Sequence, residues 1–109
     1  MSEKPPPVRV LFVCLGNICR SPMAQGVFEQ TVAGAGLTGR FVVDSAGTGA
    51  WHVGDPPDPR AVAAAARRGV DISSQRARQV SRPDFETFDH ILAMDASNHA
   101  NLHEIAPPE

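Results

Sequence analysis

The chain has 109 residues and a formal net charge of −2, which is the size of one domain with a modest hydrophobic core. This weak charge gives no electrostatic basis for nucleic acid or an anionic membrane as a partner, and no apolar run approaches bilayer-spanning length. Residues 1–7 are rich in proline and lack the apolar segment of a signal peptide, so we expect a flexible leader and then one domain over residues 8–109. Two cysteines do not make a secreted disulfide framework, and we expect a cytoplasmic protein.

The first predicted elements are a strand and a helix joined by a tight loop. Val8 to Val13 is short, apolar and rich in β-branched residues, which is typical of a strand buried on both faces. Ser21 is a favourable N-cap residue and Pro22 a favourable first helical residue, so we expect a helix from Pro22 to about Ala33. The segment between them is therefore a strand-to-helix loop.

The rest of the chain alternates predicted strands and helices. The expected elements are a strand over residues 41–43, a loop over residues 44–59, a helix from Pro59 capped by Asp58, a short helix over residues 81–87 capped by Ser81, a strand over residues 90–94 and a helix over residues 96–105. Residues 70–80 fit no single element. The alternation predicts an α/β fold in which a parallel sheet is flanked by helices on both faces.

The predicted sheet also indicates where a ligand would bind. In sheets of this kind the ligand site lies beyond the carboxyl ends of the strands. Cys14 lies at that end of the first strand, Ser45 just past the second strand and Asp95 just past the third. We therefore expect these three residues to face one crevice.

The loop after Cys14 has the composition of an anion-binding site. Gly16 and Asn17 tolerate positive φ, which lets successive backbone N–H groups turn inward at a helix N-terminus. Arg20 offers a planar fork that matches two oxygens of a tetrahedral oxyanion. The N–H groups, the helix dipole and the guanidinium all favour a thiolate at Cys14. The candidate phosphate-binding residues are Leu15, Gly16, Asn17, Ile18, Cys19 and Arg20.

A nucleophile, a ring of N–H groups and an arginine together indicate attack on phosphorus. Cys14 would form an S-phosphocysteine intermediate while Arg20 and the loop hold the phosphoryl oxygens. A buried structural cysteine beside a surface arginine is the alternative that the Cys-x5-Arg spacing leaves open. The strand before the loop, the Gly-Asn pair inside it and the Ser-Pro pair after it favour catalysis. A P-loop NTPase is excluded, because the chain has no Gly-x4-Gly-Lys-Ser/Thr motif.

The run Cys14-Leu-Gly-Asn-Ile-Cys-Arg-Ser-Pro resembles the phosphate-binding loop of the low-molecular-weight protein tyrosine phosphatases. The similarity extends from Val8 to about Leu102 and therefore covers nearly the whole predicted domain. Its further matches are Asp44-Ser45-Ala46-Gly47-Thr48, Trp51, Gly54, Arg60, Gly69, Ala77-Arg78 and Ile91-Leu92-Ala93-Met94-Asp95 with Asn98. The resemblance implies a phosphatase I-like, three-layer α/β/α fold.

The resemblance implies a protein tyrosine phosphatase, which is a phosphoric monoester hydrolase without a cofactor or a metal. Its substrates would be phosphotyrosine proteins or small aryl phosphates, with inorganic phosphate as product and inhibitor. The resemblance further implies that the Asn17 amide bonds Ser21 and Ser45 and holds the loop open, and that the Ser21 hydroxyl stabilises the Cys14 thiolate. Gln75 departs from the family, in which a histidine that supports this network is common.

Three site residues keep two interpretations each. Asp95 is either the N-cap of the last predicted helix or, as the resemblance implies, the residue that fixes Arg20. Trp51 is either a core residue or, by the resemblance, a part of the pocket wall that stacks on a substrate ring. Cys19 is either a small apolar filler or, as in the family, the partner of a reversible disulfide that protects Cys14 from overoxidation.

The sequence also departs from the family in what it lacks. The family's general acid is an aspartate followed by proline and an aromatic residue, and this sequence has no such triplet. The last strand and helix of the family are absent too, so we expect a C-terminally shortened form with doubtful activity and with its third strand as an exposed edge open to self-association. The alternatives are an arsenate reductase of the same fold, which would need further cysteines, and a phosphate- or phosphopeptide-binding form with weak catalysis. His99 and His103 share a predicted helix face, but no further ligand completes a metal site.

Overall fold

The computed structural model describes residues 5–107, which are built on a three-stranded parallel sheet. The strands are β1 (Val8–Cys14), β2 (Phe41–Gly47) and β3 (His90–Ala93). They lie in the order β2-β1-β3, and β1 pairs in parallel with both neighbours. The predicted parallel sheet is confirmed, and β3 lies at an edge of it.

The helices of the described chain lie on both faces of the sheet. They are α1 (Arg20–Gly34), α2 (Pro59–Ala66), α3 (Asp84–Thr87) and α4 (Ala96–Ile105). Contacts with β1 and β2 hold α1 on one face, and α2 packs against α1. The other face is covered by α4, which contacts β3.

Successive residues of β1 point to opposite faces of the sheet, and both faces are covered. Leu11 and Val13 are fully buried, each 0% exposed, and cluster with Leu102 of α4. Phe12 belongs to the other face, where its ring meets Phe28 of α1 edge-on with the centroids 5.7 Å apart. The strand is therefore buried on both faces, and the predicted α/β/α arrangement is confirmed.

The second strand is longer than predicted. It continues to Gly47, so Asp44 and Ser45, which were expected in a loop, are strand residues that pair with β1. Their polar side chains favoured a loop, but each one has a hydrogen-bond partner: Arg78 bonds the partly exposed Asp44, and Asn17 bonds the buried Ser45. Because Ser45 is hydrogen-bonded, it can be buried in the strand without the usual desolvation penalty.

The first helix begins at Arg20, two residues earlier than predicted, and Ser21 is not its N-cap. Cys19 occupies the N-cap position and makes no side-chain capping bond. The prediction for Ser21 was wrong because its hydroxyl has other partners within the loop. Pro22 lies in the first turn, where its missing N–H is not needed.

The later elements agree with the prediction except near residue 81. Asp58 caps α2 by accepting the Arg60 N–H at 2.8 Å, and α4 spans the predicted residues 96–105. The short helix α3 starts only at Asp84, and only half of the predicted capping box forms. The Ser81 N–H donates to the Asp84 carboxylate at 2.8 Å, but the Asp84 N–H donates to the Ser81 carbonyl oxygen at 3.0 Å and not to the Ser81 hydroxyl.

The structure describes only part of the predicted leader. Residues 1–4 of the predicted leader lie outside the described residues, and residues 5–7 have no regular structure. Within residues 5–107 no helix combines the length and the apolar character needed to cross a bilayer.

Candidate functional site

The loop between β1 and α1 curls around the sulfur of Cys14. Cys14 is the last residue of β1 and is only 4% exposed. The Asn17 N–H donates to Cys14 Sγ at 3.2 Å, and Ser21 Oγ lies 3.0 Å from the same sulfur. Asn17 has a φ of 57°, whereas Gly16 does not adopt a positive φ. The left-handed residue therefore turns a backbone N–H towards the sulfur, where it favours negative charge.

Cys14 lines an open cavity of about 260 Å³. The lining residues are Cys14, Leu15, Gly16, Ile18, Cys19, Arg20, Trp51 and His52. All of the predicted phosphate-binding residues except Asn17 are among them. Trp51 is 73% exposed, so it is not a core residue. The cavity offers a thiol, a guanidinium and an aromatic ring to one ligand.

Arg20 and Asp95 join the starts of the two helices that follow β1 and β3. Arg20 Nη2 lies 2.9 Å from Asp95 Oδ2, and Asp95 also accepts the Asn98 N–H at 2.8 Å as the N-cap of α4. Both interpretations of Asp95 thus correspond to a contact in the structure. The Asn98 N–H and then Arg20 hold the pKa of the Asp95 carboxyl below its usual value. The carboxylate is therefore ionised near neutral pH.

A buried network of side chains supports the loop from behind. Asn17 Nδ2 donates to Ser21 Oγ at 2.8 Å and to Ser45 Oγ at 3.0 Å. Ser45 Oγ lies 2.7 Å from Gln25 Oε1 of α1. Ser45 was expected to face the crevice with Cys14, but it lies behind the loop and does not line the cavity. Gln25 was missed, because its contact with Ser45 joins residues far apart in sequence.

Arg78 holds the same network in place, a role that could not be assigned to it from the sequence beyond its place in the family resemblance. Its backbone N–H donates to Asn17 Oδ1 at 3.0 Å. Its guanidinium bonds both oxygens of Asp84, at 3.0 and 3.1 Å, and Asp44 at 3.0 Å. Burial raises the pKa of Asp84, but the hydrogen bonds from Arg78 and Ser81 outweigh it, and the pKa lies below its usual value. This ion cluster holds the residue that fixes the Asn17 amide.

Gln75, which departs from the pattern that the family resemblance implies, does not bond Asn17. Its Nε2 donates to the carbonyl oxygen of Pro22 at 3.0 Å, and its Oε1 is buried without a partner among the described residues. The side chain ties the segment before Arg78 to the first turn of α1 instead.

Two close approaches shape the wall of the cavity. A Cβ on Gly47 would lie 2.8 Å from the carbonyl oxygen of Leu15, so only glycine lets the end of β2 run this close to the loop. A Cβ on Gly16 would lie 3.0 Å from Cδ2 of His52. His52 Nδ1 lies 3.2 Å from Asp55 Oδ2, which orients the ring. His52 was missed, since a single histidine in a loop has no distinguishing pattern.

Cys19 differs from Cys14 in its surroundings. Both thiols are free, but Cys19 is exposed. Although Cys19 is exposed, desolvation by the neighbouring atoms and then the negative charges of Asp58 and Cys14 raise the pKa of its thiol, against the weaker opposite effect of Arg60 and Arg20. The Cys19 thiol therefore stays protonated near neutral pH.

The two histidines of α4 lie side by side on the helix. The rings of His99 and His103 meet edge to face with their centroids 4.6 Å apart. Over residues 5–107 no group of three His, Cys, Asp or Glu side chains is arranged to hold a metal ion.

Comparison with known proteins gives consistent matches. A family model described as low molecular weight phosphotyrosine protein phosphatase matches residues 9–109. A low molecular weight phosphotyrosine protein phosphatase from Schizosaccharomyces pombe is 52% identical over 101 residues, which are 92% of this chain and 64% of that relative. The Bacillus subtilis low molecular weight protein-tyrosine-phosphatase YfkJ is 48% identical over 91% of this chain and 64% of its own length. The chain thus spans less than two thirds of the length of these relatives.

Solved structures share the fold. The crystal structure of Bacillus subtilis YfkJ superposes with a TM-score of 0.91 at 46% identity, covering 94% of this chain and 65% of that one. Vibrio vulnificus Wzb, solved in complex with benzylphosphonate, superposes with a TM-score of 0.82 at 30% identity, covering 92% of this chain and 66% of Wzb. The predicted family resemblance and the predicted fold class are confirmed.

Proposed function

The chain belongs to the low molecular weight phosphotyrosine protein phosphatase family, and on this premise we propose that it hydrolyses phosphotyrosine and aryl phosphates through Cys14. One observation carries the proposal: Cys14 Sγ accepts the Asn17 N–H at 3.2 Å and lines the same cavity as Arg20. A dianionic phosphoryl group suits this site, because the N–H groups of the loop and the guanidinium of Arg20 are donors for its oxygens.

The reaction has two steps. In the first, the Cys14 thiolate attacks phosphorus, an S–P bond forms, and the P–O bond to the aryl group breaks with its electron pair leaving on the phenolate. The Ser21 hydroxyl, 3.0 Å from the sulfur, and the Asn17 N–H stabilise the thiolate before attack. In the second, water attacks phosphorus, which returns the thiolate and releases inorganic phosphate. Free phosphate fits the same donors and so inhibits.

Side chains around the loop complete the proposed site. Asp95 positions Arg20 through the 2.9 Å ion pair, so that the guanidinium fork meets two phosphoryl oxygens. Trp51 is the pocket wall, where its exposed ring can stack on the aryl group of the substrate. Ser45 and Asn17 support the loop through the bond between them.

Cys19 is the proposed redox partner of Cys14, because both free thiols line one cavity. Hydrogen peroxide would oxidise the Cys14 thiolate to a sulfenic acid, and the Cys19 thiol would displace water from it to form a disulfide. Peptide mass spectrometry after mild peroxide treatment should show this link, and a thiol reductant should restore activity. Cys14 as sulfinic acid beside a free Cys19 would contradict the role.

The protein is proposed to act in the cytoplasm, as one domain over residues 8–109, on phosphotyrosine proteins or small aryl phosphates. A second copy of the chain is the proposed partner of β3, which has a neighbouring strand on only one side within the described sheet and carries Leu92 at 44% exposure. Sedimentation velocity of the parent and of Leu92→Lys measures this pairing. A parent that stays monomeric at every concentration would disprove it.

Cys14→Ser tests the proposed reaction. Serine provides no thiolate, so turnover of p-nitrophenyl phosphate should fall below detection, while the loop N–H groups and Arg20 should still bind vanadate or phosphate. Absorbance measures turnover and calorimetry measures binding. A serine variant that turns over substrate like the parent would exclude the covalent mechanism. A parent that binds phosphate without turnover would favour the binding-only alternative.

A further inference from the structure

Gln25 ends a chain of hydrogen bonds that begins at the sulfur of Cys14. We propose that Gln25 is a positioning residue, which acts through Ser45 and Asn17 to keep the Ser21 hydroxyl proton aimed at the sulfur. This inference rests on the proposed function, in which Cys14 is the nucleophile. Gln25 itself lies on α1 and does not line the cavity.

The number of available protons fixes the direction of each bond in the chain. Asn17 Oδ1 accepts the backbone N–H of Arg78 at 3.0 Å, so the NH₂ end of the amide faces the two serines. Its two protons go to Ser21 Oγ at 2.8 Å and Ser45 Oγ at 3.0 Å. Each serine oxygen already accepts a proton from Asn17, and each must send its own hydroxyl proton elsewhere.

Each hydroxyl has a second neighbour that can accept its proton. Ser21 Oγ lies 3.0 Å from Cys14 Sγ, so the Ser21 proton points at the sulfur. Ser45 Oγ lies 2.7 Å from Gln25 Oε1, so the Ser45 proton points at Gln25. The two serines are 0% and 5% exposed, which keeps water from substituting for either acceptor.

The orientation of the Gln25 amide follows from its contact with Ser45. Ser45 Oγ already accepts a proton from Asn17, so its own hydroxyl proton is directed to the group of Gln25 that lies 2.7 Å away. That group must be the carbonyl oxygen, because an NH₂ group there would leave the buried hydroxyl proton without an acceptor. The NH₂ end of Gln25 therefore points away from the network.

Removing this acceptor disturbs the network as far as Cys14. Without Gln25 Oε1 the buried Ser45 proton has lost its acceptor, and the hydroxyl turns towards Asn17 and competes with the amide protons. We expect Gln25→Met, which keeps the length of the side chain and removes the acceptor, to shift the pH–rate profile for alkylation of Cys14 by iodoacetate to higher pH. On the rising part of that profile, where the thiolate fraction limits the rate, alkylation should slow about 3- to 10-fold, the size expected for one net hydrogen bond. Gln25→Glu keeps an acceptor oxygen and should restore the parent rate.

Peptide mass spectrometry of the full chain follows the alkylation of Cys14 and of Cys19 separately. Cys19 provides an internal reference, since its own rate should not change. Gln30→Met is the matched control, because Gln30 lies on the same helix and donates to the carbonyl oxygen of Gly69 at 3.1 Å, outside the network. This control should alkylate at Cys14 like the parent.

A double-mutant cycle shows whether Gln25 acts through Ser45. In a Ser45→Ala background, Gln25→Met should cause no further slowing, because the hydroxyl that links the two residues is gone. An unchanged rate in Gln25→Met, or equal slowing in both backgrounds, would overturn the inference. A lower unfolding midpoint with unchanged alkylation would overturn it too. Alkylation needs no phosphate ester, so a parent without phosphatase activity would refute the proposed function and leave this test decisive.

Discussion

The site is held by one arginine at its front and another at its back. Arg20, at the front, has a side chain that is 54% exposed and is paired with Asp95 at 2.9 Å. The side chain of Arg78, at the back, is 34% exposed and forms ion pairs with both Asp44 and Asp84. The guanidinium of Arg78 is committed to protein carboxylates, whereas that of Arg20 keeps donors available beside the cavity. The same residue type thus remains available to a ligand in one region and maintains structure in the other.

The largest expected effect is the dependence of the rate on the leaving group, because the front of the site provides no proton for a departing phenolate. Asp95 is held ionised by Asn98 and Arg20, so it cannot give a proton to a departing phenolate. General acid catalysis is worth on the order of 10²–10⁴-fold, and we expect phosphorylation of Cys14 in this chain to slow by about that factor as the leaving-group pKa rises to about 10. Single-turnover kinetics with substituted phenyl phosphates measure the slope.

A flat dependence on leaving-group pKa would show that another group supplies the proton. Asp55 is then the first carboxyl to test, as Asp55→Asn, because hydrogen bonds from Arg60 hold the pKa of Asp58 below its usual value. An Asp55→Asn variant with a steep slope would identify Asp55 as the donor.

The next largest effect is the loss of turnover expected when Arg20 is substituted, which should exceed the loss when Arg78 is substituted. Arg20→Lys replaces a bidentate fork with a point charge, so turnover of p-nitrophenyl phosphate should fall about 10²- to 10³-fold. The free energy of unfolding should change by less than about 1 kcal/mol, because the ion pair with Asp95 is exposed. Arg67→Lys, an exposed arginine that follows α2, is the matched control and should leave turnover unchanged. If Arg20→Lys turned over substrate at a rate within threefold of the parent, the proposed role of Arg20 in binding the phosphoryl group would be wrong.

The back arginine should behave in the opposite way. Arg78→Met leaves Asp84, whose side chain is only 10% exposed, without its cationic partner. We expect the free energy of unfolding in urea to fall by about 2 kcal/mol, which is below the range for fully buried pairs because Arg78 is one-third exposed. Turnover of the folded protein should fall less than in Arg20→Lys, since the backbone N–H to Asn17 remains. Arg82→Met, at an exposed position, is the stability control.

The smallest expected effect is the pH dependence of the stabilisation that Asp84 provides through its ion pair with Arg78. Burial raises the pKa of Asp84, but Arg78 and Ser81 hold it below the usual value of a carboxyl group. The stabilisation from Asp84 is therefore complete above the unfolded-state pKa of about 3.9 and is lost as the pH falls through the lower folded-state value. We expect the difference in unfolding free energy between the parent and Asp84→Asn to narrow below about pH 4. Parallel curves down to pH 2 would contradict this linkage.

Sequence reasoning succeeded where the informative residues lie close together along the chain. Cys14 and Arg20 sit at the two ends of one short loop, and the apolar run before it marks the strand that positions the sulfur. The alternation of strands and helices then followed from local patterns, and α4 matched the predicted residues. Fold class and nucleophile could both be proposed before any coordinates.

What could not be predicted depends on contacts between residues distant in sequence. Arg78 reaches Asp44, 34 positions away, and Ser45 reaches Gln25, 20 positions away. Because they have these partners, Asp44 and Ser45 can lie in strand β2, where a loop was predicted. For Ser21 the local rule was correct for the residue type, but the hydroxyl bonds Cys14 instead of capping the helix.

The run of β2 alongside the loop has a thermodynamic consequence. Beyond Gly47 the chain continues to bond the loop, with the Thr48 N–H on the Cys14 carbonyl and the Gly49 N–H on the Leu15 carbonyl, both at 2.9 Å. The first turn of the loop is thereby ordered as the sheet folds. Ordering a residue costs about 1–2 kcal/mol in conformational entropy, and this part of the loop is ordered during folding and not during anion binding. An anion that bound beside Cys14 would then meet a loop whose backbone is already ordered, and its affinity would depend on how firmly the end of β2 is held.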